Sequence, residues 1–97
     1  MDELRKNLLH EIMVIYGPNQ GQSIGAVIIP AFLSDFKKVL EAKKTTDEVS
    51  EEYMTEDKRI HLVLNGRYSL GKSGKSFYVT ECKFNDKKFS LDEPIEI

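Results

Sequence analysis

Residues 58–84 read KRIHLVLNGRYSLGKSGKSFYVTECKF. In the first part Ile60, Leu62 and Leu64 alternate with His61, Val63 and Asn65. A period of two is the signature of a strand with one buried face. Asn65-Gly66 comes next, the strongest short hairpin signal, because both central residues of a type I′ turn need positive φ. The sequence therefore predicts a reversal at 65–66, a short strand over 67–70, a link over 71–75 and a longer β-rich strand over 76–84. Asn85-Asp86-Lys87 offers another turn before a last strand over 88–91. Together these make an antiparallel meander of three or four strands.

The same stretch contains GRYSLGKS at 66–73, which fits the pattern G-x-x-x-x-G-K-[ST] of phosphate-binding loops. That loop works because its amides open directly into a helix whose positive end faces the phosphate. The next residues here are Gly74-Lys75-Ser76-Phe77-Tyr78-Val79-Thr80, with poor helix propensity and good strand propensity. The remaining chain is also short for a crossover helix, a second parallel strand and a magnesium-orienting Asp. Nucleotide binding is therefore a distant reading, and no cofactor is expected.

N-terminal to the meander, residues 2–16 place Leu4, Leu8 and Ile12, with Leu9, Met13 and Tyr16, along one helical stripe. Asp2 and Glu3 suit the positive end of the helix dipole. Gly17-Pro18 reads as a stop, and 18–22 as a loop. The apolar run 23–29 has the length of a buried strand, although its periodicity does not separate strand from helix. Pro30 can open a helix, and 30–44 carries Phe32, Leu33, Phe36, Val39 and Leu40 on one side. Residues 45–57 hold six acids and no base, and read as an acidic connector or a short helix begun at Thr45. The acidic tail 92–97 is expected to fray.

The expected fold is one α+β domain over residues 1–97, with two main helices packed on the sheet. It comprises an apolar helical half 1–44, the connector 45–57, the meander 58–91 and the tail. Leu8, Ile12, Phe32, Phe36, Leu40, Ile60, Leu62, Leu64 and Val79 are the expected core. At 97 residues, 40% hydrophobic and 31% charged, the chain has ordinary globular composition. A formal charge of −2 does not steer a polyanion by itself. One cysteine, Cys82, excludes an internal disulfide and a cysteine-rich zinc site. No apolar run approaches the roughly 20 residues of a membrane span, and a reducing cytoplasm is the expected compartment.

Charge is nonetheless segregated. Between Lys58 and Lys88 there are eight bases and two acids, directly after the acidic run. Lysines on strands also protect edges from sheet-to-sheet pairing, so the basic character has a structural reading beside the binding one. Cys82 and His61 could face each other as nucleophile and base, but nothing supplies an orienting third group, and a buried thiol is the commoner fate. No metal site is expected from two histidines without ligand spacing. The leading expectation is a non-enzymatic protein-binding module or regulator, with a protein partner or a second copy meeting one of the charged segments. Candidate partner-binding residues are Glu48, Glu51 and Glu52 in the acidic run and Arg67, Tyr68, Lys72 and Lys75 in the basic hairpin. The alternative is a winged-helix DNA-binding protein, with helix 30–44 as reader and hairpin 66–75 as wing.

Overall fold

The computed structural model describes residues 3–89, 91 and 93–97. The chain runs α1 (Glu3–Tyr16), α2 (Pro18–Lys43), β1 (Val49–Met54), β2 (His61–Gly71), β3 (Gly74–Phe84), β4 (Lys87–Phe89) and β5 (Ile95–Glu96). The sheet is antiparallel in the order β1-β2-β3-β4, with β5 on β3 beside β4. Two helices on one face of an antiparallel sheet is the α+β architecture that the sequence predicts. Asp2, Ser90 and Asp92, within the expected first helix, last strand and tail, lie outside the described residues. Among the described residues, no helix is long and apolar enough to cross a membrane.

The helical half is simpler than its sequence suggests. A single residue, Gly17 at φ 91, separates α1 from α2, and Pro18 takes the first position of α2. Proline suits that position because its missing N–H would be unpaired anyway. The expected loop at 18–22 and the strand at 23–29 are therefore not formed, and helix 30–44 is the second part of α2. Gly21, Gly25, Ile29, Leu33, Phe36 and Leu40 form one buried stripe that passes unbroken beneath Pro30. Pro30 and Ala26, whose carbonyl loses its helical partner there, both lie on the exposed side, where water can reach that oxygen. A reversal across one residue forces the helices together. A Cβ at Gly21 would lie 2.5 Å from the Met13 Cα, and one at Gly25 would lie 2.6 Å from Leu9 Cδ1. These glycines serve close packing, where the sequence suggested a loop or strand.

The sheet corrects three further expectations. β2 passes straight through Asn65-Gly66, and the chain reverses at Lys72-Ser73, between the paired Gly71 and Gly74. Positive φ falls on Gly74 at 112°. The type I′ chemistry appears one hairpin later, where Asn85 (φ 45) and Asp86 (φ 68) join β3 to β4. At Asn65/Gly66 the register shifts instead. Asn65 faces Glu81 and Gly66 faces Val79, so Thr80 is an extra residue in β3. This bulge lets Phe77 and Val79 on one side of it, and Cys82 and Phe84 on the other, all point toward the helices. Gly66 is bare because Phe36, fully buried, lies over it.

The second correction is β1. Part of the acidic connector is a strand in which Val49, Glu51 and Tyr53 alternate inward. Phe32 stacks on Tyr53 at 5.3 Å, which leaves Phe32 partly buried beside the core. The other eight expected core residues are buried, together with Leu4, Ile29, Leu33, Val49, Phe77, Cys82 and Phe84. The end of the tail does not fray: Ile95 and Glu96 pair with Val79 and Tyr78, and the Ile97 amide donates to the Phe77 carbonyl at 2.9 Å.

The β1–β2 turn locks the sheet to α1. Asp57 accepts from Tyr16 Oη at 2.5 Å, Thr55 Oγ1 at 2.6 Å and the Arg59 amide at 3.0 Å. Arg59 lies over the Tyr16 ring at 4.5 Å and donates to the Ile15 carbonyl at 2.9 Å. The last turn of α1 has no basic residue of its own, so Arg59 supplies the cation that a helix C-terminus favours. Lys87 on β4 reaches Glu11 of α1 at 2.7 Å.

Candidate functional site: the projecting basic hairpin

β1 and β3 do not flank β2 equally. The β1 ladder ends at Val49 opposite Gly66, whereas the β3 ladder continues to Gly71 opposite Gly74. From Arg67 to Gly71, β2 thus has a neighbour on one side only, and no other backbone hydrogen bond among the described residues reaches it. β2 and β3 continue there as a two-stranded arm. Its inward side begins with Tyr68 against Phe77, ring centroids 6.1 Å apart, and Lys37 of α2 lies over Phe77 at 5.5 Å. Beyond that point the cover ends, and Leu70 is 67% exposed.

The candidate residues fall into two groups with different electrostatics. The acids have partners within the chain. Glu48 accepts from Thr80 Oγ1 at 2.6 Å, Glu51 lies 4.0 Å from Lys43 and Glu52 lies 3.5 Å from His61. At the far end of the sheet the bases are matched as well: Lys83 to Asp86 at 3.8 Å, Lys87 to Glu11, and Lys88 to Glu81 at 3.1 Å. The Glu81 carboxyl is held below its ordinary value by its hydrogen bond and charge contact with Lys88. Arg67, Lys72 and Lys75 differ, because no carboxylate lies within ion-pair distance of any of them among the described residues. The arm therefore gathers Arg67, Tyr68, Lys72 and Lys75 on one element. Glu51 and Glu52 lie on opposite faces of β1, and Glu48 precedes the strand.

Three other possibilities meet geometric obstacles. GRYSLGKS lies in β2 and the turn after it, and the chain enters β3 where a phosphate loop would enter a helix. Cys82 points into the core opposite Leu64, while His61 points to the other face of the sheet, opposite Met54. Burial raises the Cys82 thiol to about 12, which keeps it protonated and inert. The helix-turn-helix of a winged-helix reader is also absent from the described residues, since 23–29 and 30–43 are one helix whose Leu33, Phe36 and Leu40 face the core.

Sequence reasoning missed the open edge of β2. That edge arises from where β1 stops, and β1 itself was concealed because only Val49 and Tyr53 mark its inward face. No family model, curated protein or solved structure matches the chain.

Proposed function

We propose that the chain is a non-enzymatic, cytoplasmic protein-binding module that engages its partner through the β2–β3 arm. The reading rests on one observation: Arg67, Lys72 and Lys75 stand without carboxylate partners on a ribbon, while the acids of β1 and the other sheet lysines are matched internally. Unmatched cations on a projecting element steer an acidic surface toward it and fix its orientation. Glu48, Glu51 and Glu52 are engaged by Thr80, Lys43 and His61, so the acidic segment ranks second as a docking surface in this reading.

The test is capture from nuclease-treated cell extract at physiological salt, comparing immobilised wild-type chain with two triple variants. One is Arg67→Glu/Lys72→Glu/Lys75→Glu, and the other is Glu48→Gln/Glu51→Gln/Glu52→Gln. The expected result is a specific protein species retained by the wild type and the Gln variant and lost by the Glu variant. Equal retention by the Glu variant overturns the assignment. Capture of nucleic acid without nuclease, falling steeply with salt, transfers the arm to the DNA-binding alternative.

A further inference from the structure

The open edge of β2 and the unmatched cations occupy the same few residues. We infer that the arm takes an acidic, extended polypeptide segment as an added strand alongside Arg67–Gly71, in line with β1. The inference rests on the protein-binding reading above and adds the chemistry of the partner and its mode of docking.

Beside β2 the ladder leaves one stretch of edge unpaired, beyond Glu48, whose carboxylate accepts from Thr80 across the strand. β1 fills the place beside β2 from Met54 opposite His61 to Val49 opposite Gly66, and there it stops. The next residues of β2 keep their ladder with β3: Arg67 with Tyr78, Tyr68 with Phe77, Ser69 with Ser76 and Leu70 with Lys75. Their other side offers backbone donors and acceptors at strand spacing, the template that strand addition uses. The equivalent side of β3 is occupied farther along by β5 and β4, and Ile97 extends that cover to the Phe77 carbonyl.

The side chains around the vacancy select its occupant. Arg67 and Leu70 are exposed along the edge, and Lys72 and Lys75 lie at the tip. A strand presents alternate residues to opposite faces. Arg67 lies on the face away from the helices, whereas Leu70 and its cross-strand partner Lys75 share the other face. An occupant with carboxylates toward Arg67 and apolar residues toward Leu70 can therefore pair the cation on the edge and lie against Leu70 and the aliphatic stem of Lys75. A basic strand would meet Arg67 at the edge. Addition of a second copy through β1 is disfavoured along the outer edge of β1, because Glu51 and Glu52 would oppose like charges.

The experiment uses the full chain and two short capped peptides, alternating Glu–Val and alternating Lys–Val, with residue-resolved amide hydrogen exchange. With saturating Glu–Val peptide, the outward-facing amides of 67–71 should exchange about tenfold more slowly, as mass action on the bound state requires. The β1 amides should be unchanged, and the protection should fall with added salt. Lys–Val should give no protection. Arg67→Glu/Lys72→Glu/Lys75→Glu should lose the effect while keeping the wild-type melting curve. Absence of protection by Glu–Val at millimolar concentration overturns the inference, as does equal protection by Lys–Val. Arm-dependent capture without peptide protection would leave the binding module standing and sink strand addition alone. Peptide protection with arm-independent capture would do the reverse.

Discussion

Gly66 shows how one residue type can be chosen for two different reasons. After Asn65 it has the sequence of a turn glycine. In the fold it is the floor beneath Phe36, and a Cβ there would collide with the Tyr78 carbonyl and come within 2.6 Å of the Phe36 ring. Gly66→Ala should therefore cost about 1–3 kcal/mol by overpacking, read as a lower urea midpoint at unchanged m-value. Wild-type stability in this variant would show that Phe36 does not lie over the strand. Asp57 gives a second test at this scale. Its hydrogen bonds from Thr55 and Tyr16, then from the Arg59 amide, hold the carboxyl down to about 2. An unfolded Asp titrates near ~3.9. Because the folded value is the lower one, the stabilisation is complete above the unfolded value and drains away as pH falls through about 2. Denaturant midpoints of the wild type should thus fall more steeply on acidification than those of Asp57→Asn, which should start lower at neutral pH. Equal slopes would mean that the turn does not hold α1 through this carboxylate.

At the scale of elements, the long helix α2 tests which force sets its boundaries. Local signals divide it: Gly21 and Gly25 weaken a helix, and proline in a helix interior costs about 3 kcal/mol relative to alanine. The buried stripe from Gly21 to Leu40 prevails because packing against α1 and the sheet spans the break. Pro30→Ala should then stabilise the protein by about 2–2.5 kcal/mol, the propensity gain less the added freedom of the unfolded chain. A loss of stability would show that the proline ring contributes to packing at this position. The same competition explains what the sequence could and could not reveal. The first helix, the β character of the chain after Lys58 and most of the core were legible because their apolar periodicity is strong, whereas the reversal expected at 65–66 falls at 72–73. Helix 18–29 was hidden by glycines whose purpose is helix contact. β1 was hidden by acids that face Lys43 and His61 across space. The basic members of the candidate site were legible as a charge segment, but their open edge depends on the register between β1 and β2.

At the scale of the whole molecule, a formal charge of −2 conceals an uneven distribution. Ion pairs tie β1 to α2, and β4 to α1 and to β3, and Glu52 of β1 lies 3.5 Å from His61 of β2, while the arm extends past them with its cations unmatched. Side chains without partners should contribute little to folding. Arg67→Gln/Lys72→Gln/Lys75→Gln should accordingly leave stability within about 0.5 kcal/mol of wild type while weakening partner capture. A large loss of stability would assign these residues to the fold instead. The arm itself depends on where the chain reverses. Cross-strand nuclear Overhauser effects in the isolated protein locate that point directly. The account predicts contacts between Tyr68 and Phe77 and between Leu70 and Lys75, with none between Leu64 and Arg67. Contacts between Leu64 and Arg67, without the more distal set, would place the turn at Asn65-Gly66 and remove the arm.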